Sequence, residues 1–149
     1  MLVGISVVAL IGCGAEPRVE DLRTVKRPDT PNAYLICAPG LCTAPADEPG
    51  PIVDAAPEKV LVAALSVAAR EANVTPGDAD AALSQLVFVQ RSAVFRFPDI
   101  VSVQAIALPD GRTAIALYSR AVYGHWDFGV NKARAKRWMA AIEAELKRG

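Results

Sequence analysis

Histidine is almost absent from this chain: His125 is the only one in 149 residues. Cysteine is limited to three residues, so the sequence offers no His/Cys set with zinc-ligand spacing, and no metal is expected. No apolar run approaches the roughly 20 residues that span a bilayer as a helix. A glycine-rich phosphate loop and a Gly-x-Ser-x-Gly nucleophile elbow are both missing, so no nucleotide cofactor is expected and an esterase-type serine lacks its usual setting. Net charge is missing too, with 16 basic against 16 acidic residues. That removes the whole-chain basic footprint of a nucleic-acid binder. The charge is nonetheless uneven, because residues 112–149 hold eight basic and three acidic side chains.

The first thirteen residues, MLVGISVVALIGC, carry no charged side chain. The apolar run at 2–11 is too short to span a bilayer and suits the core of a secretory signal. It ends in Leu10-Ile11-Gly12-Cys13, which resembles a bacterial lipoprotein processing box: a small residue at the cleaved bond, then a thiol that takes the lipid. Cys13 is the expected lipidation site. The absence of Lys or Arg before the run departs from the pattern, and a start codon further upstream would explain it. Gly14, in place of an aspartate after the cysteine, favours outer-membrane over inner-membrane sorting. The expected address is the bacterial cell envelope, with a membrane anchor and a domain facing the periplasm. A plain amphiphilic N-terminus and a secretory signal with a bystander cysteine are the alternatives.

The remaining cysteines, Cys37 and Cys42, form the stretch CAPGLC. Pro39-Gly40 suits the centre of a type II turn, which brings the flanking thiols together. A disulfide is expected; a metal site or a redox pair fits the spacing less well. Eight of the eleven prolines fall between Pro17 and Pro57, which rules out long helix or central strand there. Residues 1–13 are expected as the signal, 14–32 as a tether, and 33–149 as one α+β domain.

Within that domain, apolar spacing of three and four predicts a helix from Pro57 to about Asn73, with Asp54 as a nearby cap. The run PGDADAA after it is expected as a loop. Strands are predicted at 83–92, 100–108 and 113–120, the last two joined by Pro-Asp-Gly-Arg. Tyr34-Leu35-Ile36 adds a candidate edge strand. A second helix is predicted over 131–147. The expected fold is a small antiparallel sheet of three to four strands, with two helices on one face, in the order α-β-β-β-α.

The stretches VQRSAVFRFPDIVSVQAIAL and AIALYSRAVYGHWDFGVNKARAKRWMAAIEAEL resemble the bacterial family called domain of unknown function 1499. RFPD, the strand ending in YSR, and DFGVN leading into a basic helix carry the resemblance. The arm YLICAPGLC is similar to a subset of that family with paired cysteines. The likeness implies little about function, because the family is itself defined by the lack of an assigned activity, and the chain departs from it at Gly124-His125-Trp126.

Ser119, His125 and Asp127 supply the residue types of a hydrolytic triad, but types alone do not give the required geometry. Asp127, Gly129 and Asn131 read more simply as a joint: Gly129 permits a tight turn and Asn131 caps the second helix. Lys132, Arg134, Lys136 and Arg137 crowd the start of that helix, where the macrodipole disfavours cations. Two readings follow: a solvated basic face lying beside anionic lipid, or a specific anion site for which Arg91, Arg96, Arg120, Lys132 and Arg134 are the candidate residues. The aromatics Phe88, Phe95, Phe97, Tyr118, Trp126 and Trp138 are expected mainly in the core. The expected function is a non-enzymatic binding or accessory module for an anionic lipid or small anionic ligand. A hydrolase using His125 and Asp127, or a scaffold in an envelope complex, are the alternatives.

Overall fold

The computed structural model describes residues 17–149. The signal-like segment and Cys13 lie outside the described residues. Eight elements follow in order: β1 (Ala33–Ile36), β2 (Ile52–Val53), α1 (Pro57–Arg70), β3 (Val74–Asp80), β4 (Gln85–Arg91), β5 (Pro98–Ala107), β6 (Thr113–Ala121) and α2 (Val130–Arg148). The six strands pair into one antiparallel sheet, ordered β1-β6-β5-β4-β3, with β2 also on β6. The expectation of three to four strands in the order α-β-β-β-α is overturned. Two strands precede α1, and a further one follows it directly.

The missed strands have a physical explanation. β3 reads VTPGDAD, a composition poor in strand formers. It survives because it is an edge strand, where proline's missing N–H costs no ladder bond. A bulge absorbs the misfit: Pro76 pairs with Phe88 and Ala79 with Leu86, leaving one extra residue on β3. β1 and β2 lie along β6 as one interrupted edge strand, Leu35 opposite Tyr118 and Ile52 opposite Ala114. The proline-rich arm bulges out between them. The turn at its start is closed by the Cys37–Cys42 disulfide, with Cα atoms 6.3 Å apart. The Leu41 amide donates to the Ala38 carbonyl, and Gly40 has φ of 80°, the geometry expected of Pro39-Gly40.

Both helices pack on one face of the sheet. Val60, Ala64 and Val67 of α1 and Ala135, Trp138 and Ile142 of α2 meet Phe88, Val101, Val103, Ile115 and Leu117. Trp138 is fully buried, its ring 5.4 Å from that of Phe88. The opposite face is covered as well. Leu22 and Val25 from the segment before β1 pack there with Leu35, Cys37, Ile106, Ala116 and Tyr118. Polar anchors register that segment: the Leu22 amide donates to Gln104 Oε1 (2.7 Å), and Gln85 Nε2 donates to the Glu20 carbonyl (2.8 Å). From Pro17 onward, the stretch expected as a tether thus lies against the domain. Cover on both faces explains why β5 and β6 read as nearly continuous apolar runs rather than as alternation.

Candidate functional site

The end of the sheet where β5 begins and β6 ends is built around a buried polar cluster. Ser119 and Asn131 are fully buried, and Asn32 and Arg134 nearly so. Asn131 is the hub. Its Oδ1 accepts from Ser119 Oγ (2.6 Å) and from Arg134 Nη1 (2.9 Å). Its Nδ2 donates to Asp127 Oδ2 (2.8 Å) and to the Asn32 carbonyl (3.2 Å). Arg134 also donates to Asp99 Oδ2 at 2.7 Å. Burial pushes the Asp99 carboxyl above its ordinary range, opposed by Arg134 and reinforced by the Asp127 charge.

The joint between β6 and α2 is made differently from the expected capping. Gly129 occupies the cap position with φ of 79° and provides no side-chain cap. Asn131 sits inside the helix, facing the core. Asp127 does the capping instead, accepting the Gly129 and Asn131 amides on its two oxygens, each at 2.9 Å. Three of the four cations at the start of α2 have partners that sequence could not reveal. Arg134 pairs with Asp99 of β5, Lys136 with Glu48 of the arm between β1 and β2, and Arg137 with Glu71 just after α1.

Ser119, His125 and Asp127 are not assembled as a triad. Ser119 donates to Asn131, and both Asp127 oxygens are taken by N–H groups. His125 is exposed, and its one described contact is an edge-on approach to the Trp126 ring at 5.5 Å. Among the described residues, no group of three or more His, Cys, Asp or Glu is placed to hold a metal ion.

Two loops project above the buried cluster: 92–97, between β4 and β5, and 122–129, between β6 and α2. They join where the Val122 amide donates to the Pro98 carbonyl (3.3 Å). The loops carry Val94, Phe95, Phe97, Tyr123, Trp126 and Phe128, all more than half exposed, with Phe128 at 94%. Phe95 stacks on Phe97 at 5.7 Å, and Phe97 meets Tyr123 at 6.4 Å, bridging the two loops. Expectation placed Phe95, Phe97 and Trp126 with the core aromatics; the structure buries Phe88, Tyr118 and Trp138 and exposes these three. Arg96 and Phe128 hold left-handed backbone, φ 58° and 53°. For non-glycine residues that costs about 1–3 kcal/mol each. The fold therefore spends stability to present an aromatic ring to solvent.

Of the five candidate anion-binding residues, Arg134 is buried and paired, so its head is not free for a ligand. The other four stand around the apex. Arg91 ends β4 and donates to the Arg96 carbonyl (3.4 Å), while Arg96 reaches Asn73 Oδ1 (2.9 Å). Arg120 lies at the end of β6 on the outer face, and Lys132 is exposed in the first turn of α2. None of these four has a carboxylate within ion-pair distance among the described residues.

The structure thus defines an α+β protein with both sheet faces covered and one apolar, cationic apex. Residues 24–142 match the model of a family described as a protein of unknown function, DUF1499, and the chain belongs to that family. No curated protein matches it.

Proposed function

We propose that the protein is a non-enzymatic accessory module of the bacterial envelope. In this proposal it is anchored by a lipid on Cys13, and its apex docks on an anionic membrane surface. The observation that supports this is the apex itself, where exposed aromatic rings stand with Arg91, Arg96, Arg120 and Lys132, none of which has a carboxylate within ion-pair distance among the described residues. Aromatic rings at the interface and Arg or Lys near anionic headgroups are the two contributions that hold a protein on a bilayer, the latter worth about 1 kcal/mol per cation. Opposing charge is scarce, since Asp127 is engaged at the helix start and Asp99 by Arg134. The proposed anchor is compatible in reach. Three residues lie between Cys13 and Pro17, four steps of chain that span at most about 14 Å, and Pro17 lies against Gly77 of the edge strand. An anchored domain would therefore lie close to the bilayer.

Vesicle sedimentation of the full chain carrying Cys13→Ser tests the apex apart from the acyl chain. Binding should rise when phosphatidylglycerol is added to phosphatidylcholine vesicles. Trp126→Ser with Phe128→Ser should weaken it by at least tenfold, because each ring removed from water is worth about 1.5–3 kcal/mol. Equal binding by that double variant would refute the proposal. Captured protein partners with no vesicle binding would favour the scaffold alternative.

A further inference from the structure

A cavity of about 480 Å³ opens between the segment before β1 and the outer face of β6, its wall including Glu20, Lys26, Arg27, Thr30, Tyr118 and Arg120. Two of its features have no structural explanation. Tyr118 is 2% exposed, yet its hydroxyl has no hydrogen-bond partner. A buried hydroxyl left unpaired is destabilising, and such orphans are rare enough in folded proteins to require a cause. Arg120 and Lys26 have no carboxylate within ion-pair distance among the described residues. Arg27 differs, being neutralised by Asp47 at 2.8 Å and bonded to the Pro45 carbonyl at 2.6 Å. Burial pushes the Tyr118 phenol above its ordinary value; the charges of Arg120 and Arg27 oppose that rise and those of Glu20 and Asp47 add to it, so these groups all stand near that ring.

We infer that this cavity is an oxyanion site that takes a phosphate group. Arg120 supplies a planar pair of donors, Lys26 a point charge, and the Tyr118 hydroxyl gains the acceptor it lacks. Glu20 on the same wall repels the ligand and keeps the affinity modest. The phosphate is either free or the headgroup of a glycerophospholipid, because the cavity wall extends to Gly124 in the apex loop. The site does not rest on vesicle docking by the apex; each has its own variants and its own readout.

The test is thermal unfolding and isothermal titration of the full chain carrying Cys13→Ser. The probes are inorganic phosphate and water-soluble glycerophosphoglycerol, with chloride at matched ionic strength as the control. One or both should raise the melting temperature where chloride does not, and which one does identifies the source. Arg120→Gln should weaken binding about tenfold or more, as loss of a charge-assisted contact implies. Tyr118→Phe should bind several-fold less tightly, while the ligand-free variant melts no lower than the parent, since only an unpaired hydroxyl is lost. Glu20→Gln should bind more tightly. No response to either probe would overturn the site. So would a response that persists unchanged in Arg120→Gln and Tyr118→Phe.

Discussion

Replacing Asn131 with alanine probes the hub that joins β6, α2, the 122–129 loop and Asn32 ahead of β1. The parent side chain is fully buried and makes four hydrogen bonds, two accepted and two donated. Truncation does not strand all four partners. The Asn32 carbonyl keeps the Ala121 amide, Arg134 keeps Asp99, and Asp127 keeps two backbone amides. Ser119 Oγ is the group left without its acceptor, at about 1–3 kcal/mol for a buried hydroxyl. Loss of the bonds to the charged Arg134 and Asp127 adds about 1 kcal/mol each. The expected loss is about 4 kcal/mol, a large part of the roughly 5–15 kcal/mol that stabilises a domain. In urea melts the midpoint should fall with little change in slope, and the melting temperature should drop on the order of 10 °C. Amide exchange at 122–129 should accelerate with it, because Asn32 Nδ2 holds the Gly124 carbonyl at 2.6 Å from the same cluster. A loss under about 1 kcal/mol would show that the cluster tolerates its hub's removal, and the structural role given to Asn131 would be wrong.

Three further outcomes are expected. Phe128→Gly should raise stability by about 1 kcal/mol in denaturant titration by relieving the left-handed backbone, while lowering vesicle binding; destabilisation would show that the ring packs more than its 94% exposure implies. Cys37→Ser with Cys42→Ser should cost about 2 kcal/mol in the same assay, since the closed loop is short; an unchanged midpoint would mean the arm is held by its packing alone. The Arg23 guanidinium holds the Asp21 carboxyl down to about 2 from 3.8. A depressed acid stabilises the fold above its unfolded value and loses that contribution as pH falls through the folded one, so the window lies between about 4 and 2. After discounting for solvent screening, the contribution is on the order of 1 kcal/mol. Asp21→Asn should therefore flatten the acid limb of the stability profile, and an identical limb would remove Asp21 from that account.

Local chemistry in the sequence was enough to place both helices, strands β1, β4, β5 and β6, and the disulfide turn. Each rests on spacing or on turn residues a few positions apart. The three- and four-residue spacing from Val60 to Ala68 marks the buried stripe of α1, and Pro39-Gly40 marks the turn that brings Cys37 to Cys42. Family membership was legible in RFPD, YSR and DFGVN, which lie within the matched residues. β3 was not legible, because VTPGDAD becomes a strand only through its neighbour β4 and the edge that accommodates Pro76. The acids that neutralise the start of α2 come from positions 48, 71 and 99, separations at which charge patterning in the chain carries no information. The apex shows the same division. Phe95 and Trp126 are apolar in any composition count, and local sequence assigns them to a core. Only the tertiary structure decides that the sheet's two faces are already filled, by helices on one side and by Leu22 and Val25 on the other. Burial depends on what else competes for the interior, and that competition is settled over the whole chain.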